Sequence, residues 1–77
     1  MDYKLLDTVV LVRSLPDHGL REGDLGTVVE LYPPDGLEVE FISASGHTRA
    51  LISLRTSDVR APGDSDVFSV RPLDKSA

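Results

Sequence analysis

Short apolar segments alternate along the chain with clusters of glycine, proline and polar residues. These clusters fall at 15–19, 33–36, 43–47 and 61–64. A spacing of about ten residues is typical of short strands in a small barrel or sandwich. Only residues 47–61 form an uninterrupted run long enough for a helix, and their apolar residues do not make a 3.6-residue stripe. The pattern therefore predicts an all-β fold.

Four segments have the composition of β-strands, and a fifth segment is shorter. We predict strands over 8–13, 25–32, 37–42 and 48–54, and a short strand or a 3₁₀ turn followed by a strand over 57–60. In the third strand Leu37, Val39 and Phe41 alternate with Glu38 and Glu40. This period of two predicts one buried and one hydrated face. The first segment is apolar on both faces, as expected for a strand that is covered on both sides. Together the segments predict an antiparallel meander that closes on itself.

Glycines mark the two places where the predicted meander has to turn or bend sharply. In the hairpin over 33–36, Gly36 is expected to supply a positive φ. In the long loop after the first strand, Gly23 and Gly26 are expected to allow left-handed backbone or a close approach to the barrel. Between them, Asp24 is placed to accept backbone N–H groups.

Three stretches of the sequence resemble a known family. They are LLDTVVL at 5–11, LPxHGLxxGDxGTVV at 15–29 and EVEF at 38–41. Together they resemble a family of small uncharacterised bacterial proteins that carry a domain of unknown function. The resemblance implies a small SH3-like (KOW-type) five-stranded barrel and supplies no established activity. We assign residues 1–61 to the barrel and residues 62–77 to a C-terminal extension, flexible or docked as an edge strand.

Composition limits the functions that such a domain can have. The chain has 77 residues, a net charge of -5 and no cysteine, which excludes disulfides and thiolate metal sites. A negative chain gains no counterion-release energy from phosphates, which argues against direct nucleic-acid binding. The acidic residues near the start and the longest apolar run, 9–12, do not fit a secretory signal or a membrane span. We therefore expect a cytoplasmic protein that does not bind membranes.

Few residues offer catalytic chemistry. His18 has Asp17 and Asp24 nearby in the sequence, which is compatible with a weak metal or acid–base site. We favour the interpretation that His18 packs or caps the long loop through a backbone hydrogen bond, and that His47 is exposed at a hairpin tip. No serine lies in a nucleophile-elbow motif. We predict no enzyme activity, no metal and no cofactor.

The acidic residues are concentrated in the first half of the chain. Residues 1–36 contain seven acidic and three basic residues, a distribution that serves solubility or a docking face for a basic partner. Four scattered aromatic residues are too few for a proline-binding SH3 groove. We predict a contact surface made by the loop 14–24 and the hairpin 33–36, with Phe68 as an anchor. The candidate partner-binding residues are Asp17, His18, Glu22, Asp24, Tyr32, Asp35 and Phe68.

These observations predict a non-catalytic acidic protein-interaction module that docks onto a protein partner with a basic surface. The alternative is an antitoxin, an immunity protein or a nuclease inhibitor that presents acidic residues where nucleic acid would bind. We expect a monomer or a weak homodimer, because an isolated barrel of this size buries only about 60% of its unfolded surface.

Overall fold

Five strands follow the predicted segments closely in the computed structural model, which describes residues 2–72. The strands are β1 (Thr8–Leu11), β2 (Leu25–Tyr32), β3 (Gly36–Ile42), β4 (Thr48–Arg55) and β5 (Val59–Arg60). They form one antiparallel sheet in the order β4-β3-β2-β1-β5. The sheet is curled into a half-barrel, so the all-β prediction is confirmed.

Two short 3₁₀ turns complete the described secondary structure. The first, Pro16–His18, lies between β1 and β2, and the second, Thr56–Asp58, leads directly into β5. The second turn confirms the predicted 3₁₀ turn followed by a short strand. Between residues 2 and 72 there is no α-helix, and no helix is long and apolar enough to cross a membrane.

The core is built from the inward faces that the alternation predicts. Leu37 and Val39 are fully buried and Phe41 is nearly so, which confirms the inward face of β3. The other face of β3 is only half hydrated, because Ser53 donates a hydrogen bond of 2.6 Å to Glu38 and Thr48 donates one to Glu40. These cross-strand contacts connect the outer face of β3 to β4.

Strand β1 is shorter than predicted because its backbone partners change after Leu11. Val9, Val10 and Leu11 are all buried, which confirms the expectation of a strand covered on both sides. The next residue, Val12, donates its N–H to the carbonyl of Asp58 in the second 3₁₀ turn at 3.0 Å. The chain therefore leaves the β1–β2 pair two residues earlier than the apolar pattern indicates.

The predicted close approach occurs at Gly26, a buried residue near the start of β2. A Cβ atom at this position would lie 2.5 Å from Cγ1 of Val39 and 2.8 Å from Cε1 of Phe41. Further along β2 the register with β3 shifts between Val28 and Glu30, an irregularity of the kind that bends a strand and increases its twist. The absent side chain and the register shift together accommodate the curl of the sheet around its core.

The expectation for Gly36 is wrong, whereas that for Gly23 is confirmed. Gly23 has a φ of 93°, in the left-handed region that favours glycine. Gly36 does not have a positive φ and is instead the first residue of β3, paired with Tyr32. A Cβ atom at Gly36 would lie 2.9 Å from the carbonyl oxygen of Tyr32, so lack of space requires glycine there.

We predict that Gly26→Ala destabilises the protein by about 1–3 kcal/mol, the usual cost of overpacking a core. The added methyl group collides with Val39 and Phe41, which are both buried in the core. The measurement is the free energy of unfolding from urea titration. Gly63→Ala is the matched control, because its added methyl would meet only Asp66 Oδ2 at 3.6 Å. Equal unfolding midpoints for the two variants would contradict the prediction.

Candidate functional site

The β1–β2 connection (residues 12–24) is a small ordered hairpin held by two leucines. Leu15 and Leu20 are buried in the core and exchange backbone hydrogen bonds of 2.9 and 3.1 Å. The first 3₁₀ turn lies between them and ends at Gly19, which has a φ of 69°. The sequence pattern suggested only an irregular loop, although two leucines flanking a proline-to-glycine turn were the signal for this hairpin.

The tip of the connection presents polar side chains to solvent. Asp17, His18 and Glu22 are all exposed. The backbone hydrogen bond expected for His18 is present, since its N–H donates to the Leu15 carbonyl at 3.0 Å, but its ring is exposed. Among residues 2–72 no three histidine or acidic side chains are grouped so that they could hold a metal ion.

Asp24 lies at the base of the connection and is half-buried. Its Oδ2 accepts the backbone N–H of Arg21 at 2.8 Å, which confirms the predicted turn contact. Its carboxylate also binds the guanidinium of Arg71, with Nε 3.0 Å from Oδ1 and Nη2 bonded to Oδ2. Nη2 of Arg71 donates a further hydrogen bond of 3.1 Å to the Gly19 carbonyl. Asp24 and Gly19 thus form a three-acceptor arginine clamp, the name we use for this site below.

Arg71 belongs to the C-terminal segment (residues 62–72), which contains no strand. A second ion pair holds the beginning of this segment to β5, since Arg60 donates two hydrogen bonds to Asp66, at 2.7 and 2.9 Å. Between the two ion pairs the apolar side chains face solvent: Val67 is 90% exposed, Phe68 61% and Val70 99%. The rest of the predicted extension, from Leu73 onward, lies outside the described residues.

The Arg60 pair changes the acidity of Asp66. The hydrogen bond from Arg60, together with the one from the Gly63 N–H, lowers the pKa of the Asp66 carboxyl to about 2. The Asp66 carboxylate in turn raises the pKa of Arg60. Both groups therefore remain charged at neutral pH, and the C-terminal segment stays attached to β5 through a full ion pair.

A groove of about 860 Å³ lies between the C-terminal segment and the curled sheet. Its lining combines apolar residues of the sheet with charged residues of the β1–β2 connection and of the C-terminal segment. The apolar part includes Leu25 and Ile42, which are both partly exposed. The charged part includes Glu22, Asp24 and Arg49. An apolar floor with charged residues at its edge can accept an extended polypeptide segment.

The predicted site residues do not form a single surface. Glu22, Asp24 and Phe68 line the groove, and Asp17 and His18 project from the connection beside it. Tyr32 is the last residue of β2, and Asp35 lies just beyond that end of the strand. There Tyr32 is 51% exposed, and the Asp35 carbonyl accepts the N–H of Thr56 at 2.9 Å.

The ion pairs of Arg60 and Arg71 were not predicted from the sequence. Arg71 binds a carboxylate 47 positions away, and no local pattern connects the two residues. The sequence feature that could have indicated a role for Arg71 is its position directly after an alternating apolar stretch in an otherwise acidic chain. This contact links the end of the chain to the loop that the sequence had marked as functional.

Residues 5–61 match a protein family described as a domain of unknown function (DUF4926). The match covers well over half of the chain, so the protein belongs to this family. It spans all five strands and the β1–β2 connection, and it ends just before the C-terminal segment. No curated protein and no solved structure matches the chain.

The Arg60–Asp66 pair generates a prediction about pH. Because the folded-state pKa of Asp66 lies below its ordinary value, the pair stabilises the fold fully above about pH 4 and loses its contribution as the pH falls towards about 2. Carboxyl ¹³C shifts recorded from about pH 5 to about pH 2 should give an Asp66 midpoint of about 2. Arg60→Gln should move that midpoint up towards 3.8.

Arg13→Gln is the control for this titration, because it removes a different ion pair, the one with Asp58 at 2.8 Å. It should leave the Asp66 midpoint unchanged. A wild-type midpoint near that of Arg60→Gln would show that Arg60 does not set the acidity of Asp66.

Proposed function

We propose that this chain is a cytoplasmic SH3-like, KOW-type barrel that acts as a non-catalytic acidic protein-interaction module. It docks onto a protein partner with a basic surface, as a monomer or a weak homodimer. The observation that carries the proposal is the groove, in which exposed apolar side chains lie beside Glu22, an acidic side chain that forms no ion pair within residues 2–72. Surfaces with an apolar centre and a charged rim are characteristic of protein interfaces.

The acidic side chains beside the groove have charge available for a partner. Asp17 and Glu22 are exposed, and neither forms an ion pair with a residue of the described range 2–72. Asp35, beyond the far end of β2, is also exposed and forms no such ion pair. Unpaired surface carboxylates on a chain of net charge -5 attract a basic surface and increase its association rate.

Three features of the fold support the SH3-like assignment. The strands form an antiparallel meander, the second 3₁₀ turn immediately precedes β5, and β2 is irregular where it crosses the core. Fold does not determine function. The SH3-like assignment therefore concerns only the architecture, and the proposal of partner binding is based on the groove. The non-catalytic role is supported by the exposure of both imidazoles, His18 and His47.

We predict that Asp17→Asn, Glu22→Gln and Asp35→Asn, combined in one variant, leave folding intact and weaken partner capture. The three side chains are exposed, so their neutralisation removes long-range attraction without changing the core. The measurement is affinity capture from the native cell followed by quantitative mass spectrometry. A basic protein recovered with the wild type should decrease about tenfold or more with this variant at low ionic strength.

The matched control is a second triple variant, Asp2→Asn, Glu30→Gln and Asp64→Asn. It changes the net charge from -5 to -2 as the first variant does, but at exposed acids outside the predicted contact surface. It should capture the partner as the wild type does. Equal recovery with both triple variants would refute the docking surface. A captured nuclease whose nucleic-acid site is blocked would identify the inhibitor form of this function.

A further inference from the structure

The arginine clamp is built entirely by the β1–β2 connection. The Leu15–Leu20 pairing anchors the connection in the core, and the left-handed Gly19 closes the first 3₁₀ turn. The N–H of Arg21 orients the Asp24 carboxylate. The three acceptor atoms are thus positioned by contacts within the connection that do not involve the side chain they bind. Such a preorganised carboxylate and carbonyl suit the planar, forked guanidinium group of arginine.

The C-terminal segment that fills this clamp is attached at few points. Within the described range, the backbone–backbone hydrogen bonds of residues 62–72 are limited to the one from Asp66 to Gly63, which stays inside the segment. Val67 and Val70 gain almost no burial. The Arg60–Asp66 pair is partly exposed, and solvent-exposed ion pairs contribute little to stability. The segment can therefore leave the groove while the clamp keeps its shape.

We propose that the arginine clamp and the adjoining groove are the binding site for an arginine side chain on an extended, partly apolar segment of the basic partner. In the free protein Arg71 occupies the clamp as an internal substitute, and the preceding residues of the C-terminal segment form one side of the groove. The inference rests on the proposed function and specifies its ligand chemistry. Charge complementarity supports this inference. The side chain bound in the clamp is Arg71, which follows an apolar stretch, and a basic partner has arginine side chains of the same kind.

When the partner segment binds, its arginine replaces Arg71 at the Asp24 carboxylate. The Asp24 carboxylate is paired both before and after the exchange, so neither the free nor the bound protein holds a half-buried charge without a partner. Leu25 and Ile42, which are partly exposed beneath the C-terminal segment, are then available to the apolar side chains of the incoming segment. If Arg71 occupies the clamp about nine-tenths of the time, the apparent affinity for an added segment is lowered about tenfold.

The test uses a synthetic peptide of residues 64–72 and the ¹⁵N-labelled full chain. The chain carries Arg71→Gln and Asp66→Asn, which remove the two ion pairs described above, Arg71–Asp24 and Arg60–Asp66, and leave Asp24, Gly19 and Arg60 in place. The amide signals of Gly19 and Asp24 should shift in a saturable way. The midpoint of this titration should lie at a peptide concentration about tenfold lower than for the wild-type chain, in which Arg71 already occupies the clamp.

Three controls make the result specific. The same peptide with glutamine in place of its arginine should not bind, and Asp24→Asn in the labelled chain should abolish binding. Arg13→Gln, which removes an ion pair outside the groove, should behave as the wild type. Equal binding of the arginine and glutamine peptides, or equal midpoints for the opened and wild-type chains, would overturn the proposal.

A second measurement needs no variant. In the wild-type chain the Nε–H signal of Arg71 should lose its protection from exchange as NaCl rises from about 20 mM to about 1 M, because salt screens a displaceable ion pair. Protection that does not change with salt would mean that the segment is permanently attached, and the proposal would fail. If partner capture depends on the acidic surface but the peptide does not bind, the clamp proposal is rejected and the proposed function stands. If the peptide binds but the acidic variant captures the partner as the wild type does, the proposed function is rejected and the clamp proposal stands.

Discussion

The packing of β2 against the inner side chains of β3 is the constraint on which the rest of the structure depends. At Gly26 there is no room for a single methyl group, because Val39 and Phe41 already fill the space. That contact lets β2 lie close over the core, and it lets the sheet curl far enough for β5 to pair with β1. The curl also places the β1–β2 connection beside the groove, so the geometry of the candidate site follows from the packing of the core.

The same connection links the fold to the proposed function. Its two buried leucines tie it to the core, while its polar residues face outward or orient Asp24. Rigid attachment of this kind is what a binding loop requires, since a loop that orders only on binding loses affinity through its conformational entropy. The C-terminal segment has the opposite character: its apolar side chains are exposed, and within residues 2–72 two ion pairs connect it to the rest of the fold. The proposed exchange of one arginine for another combines this segment with a fixed acidic clamp.

Much of the secondary structure could be predicted because strands are encoded locally. A period of two in β3 separates Leu37 and Val39 from Glu38 and Glu40 without reference to the rest of the chain, and the structure confirms the separation. The positive φ of Gly36 and the packing of the His18 ring were not found, because each depends on neighbours that the local pattern does not contain. Gly36 is required by the proximity of Tyr32, whereas the His18 ring remains in solvent because the two leucines already anchor the connection.

The amino-acid sequence by itself determined the fold class, the strand boundaries to within two residues, the acidic character of the surface and the loop that carries the candidate site. Each of these properties depends on composition or on residues close together in the chain. Only the tertiary structure decided that, within residues 2–72, Asp24 is paired while Asp17 and Glu22 are not, and that Arg71 is the partner of Asp24 across 47 positions. Such a contact depends on how the sheet curls and on where the C-terminal segment packs against it. Neither property can be predicted from the local alternation of apolar and polar residues.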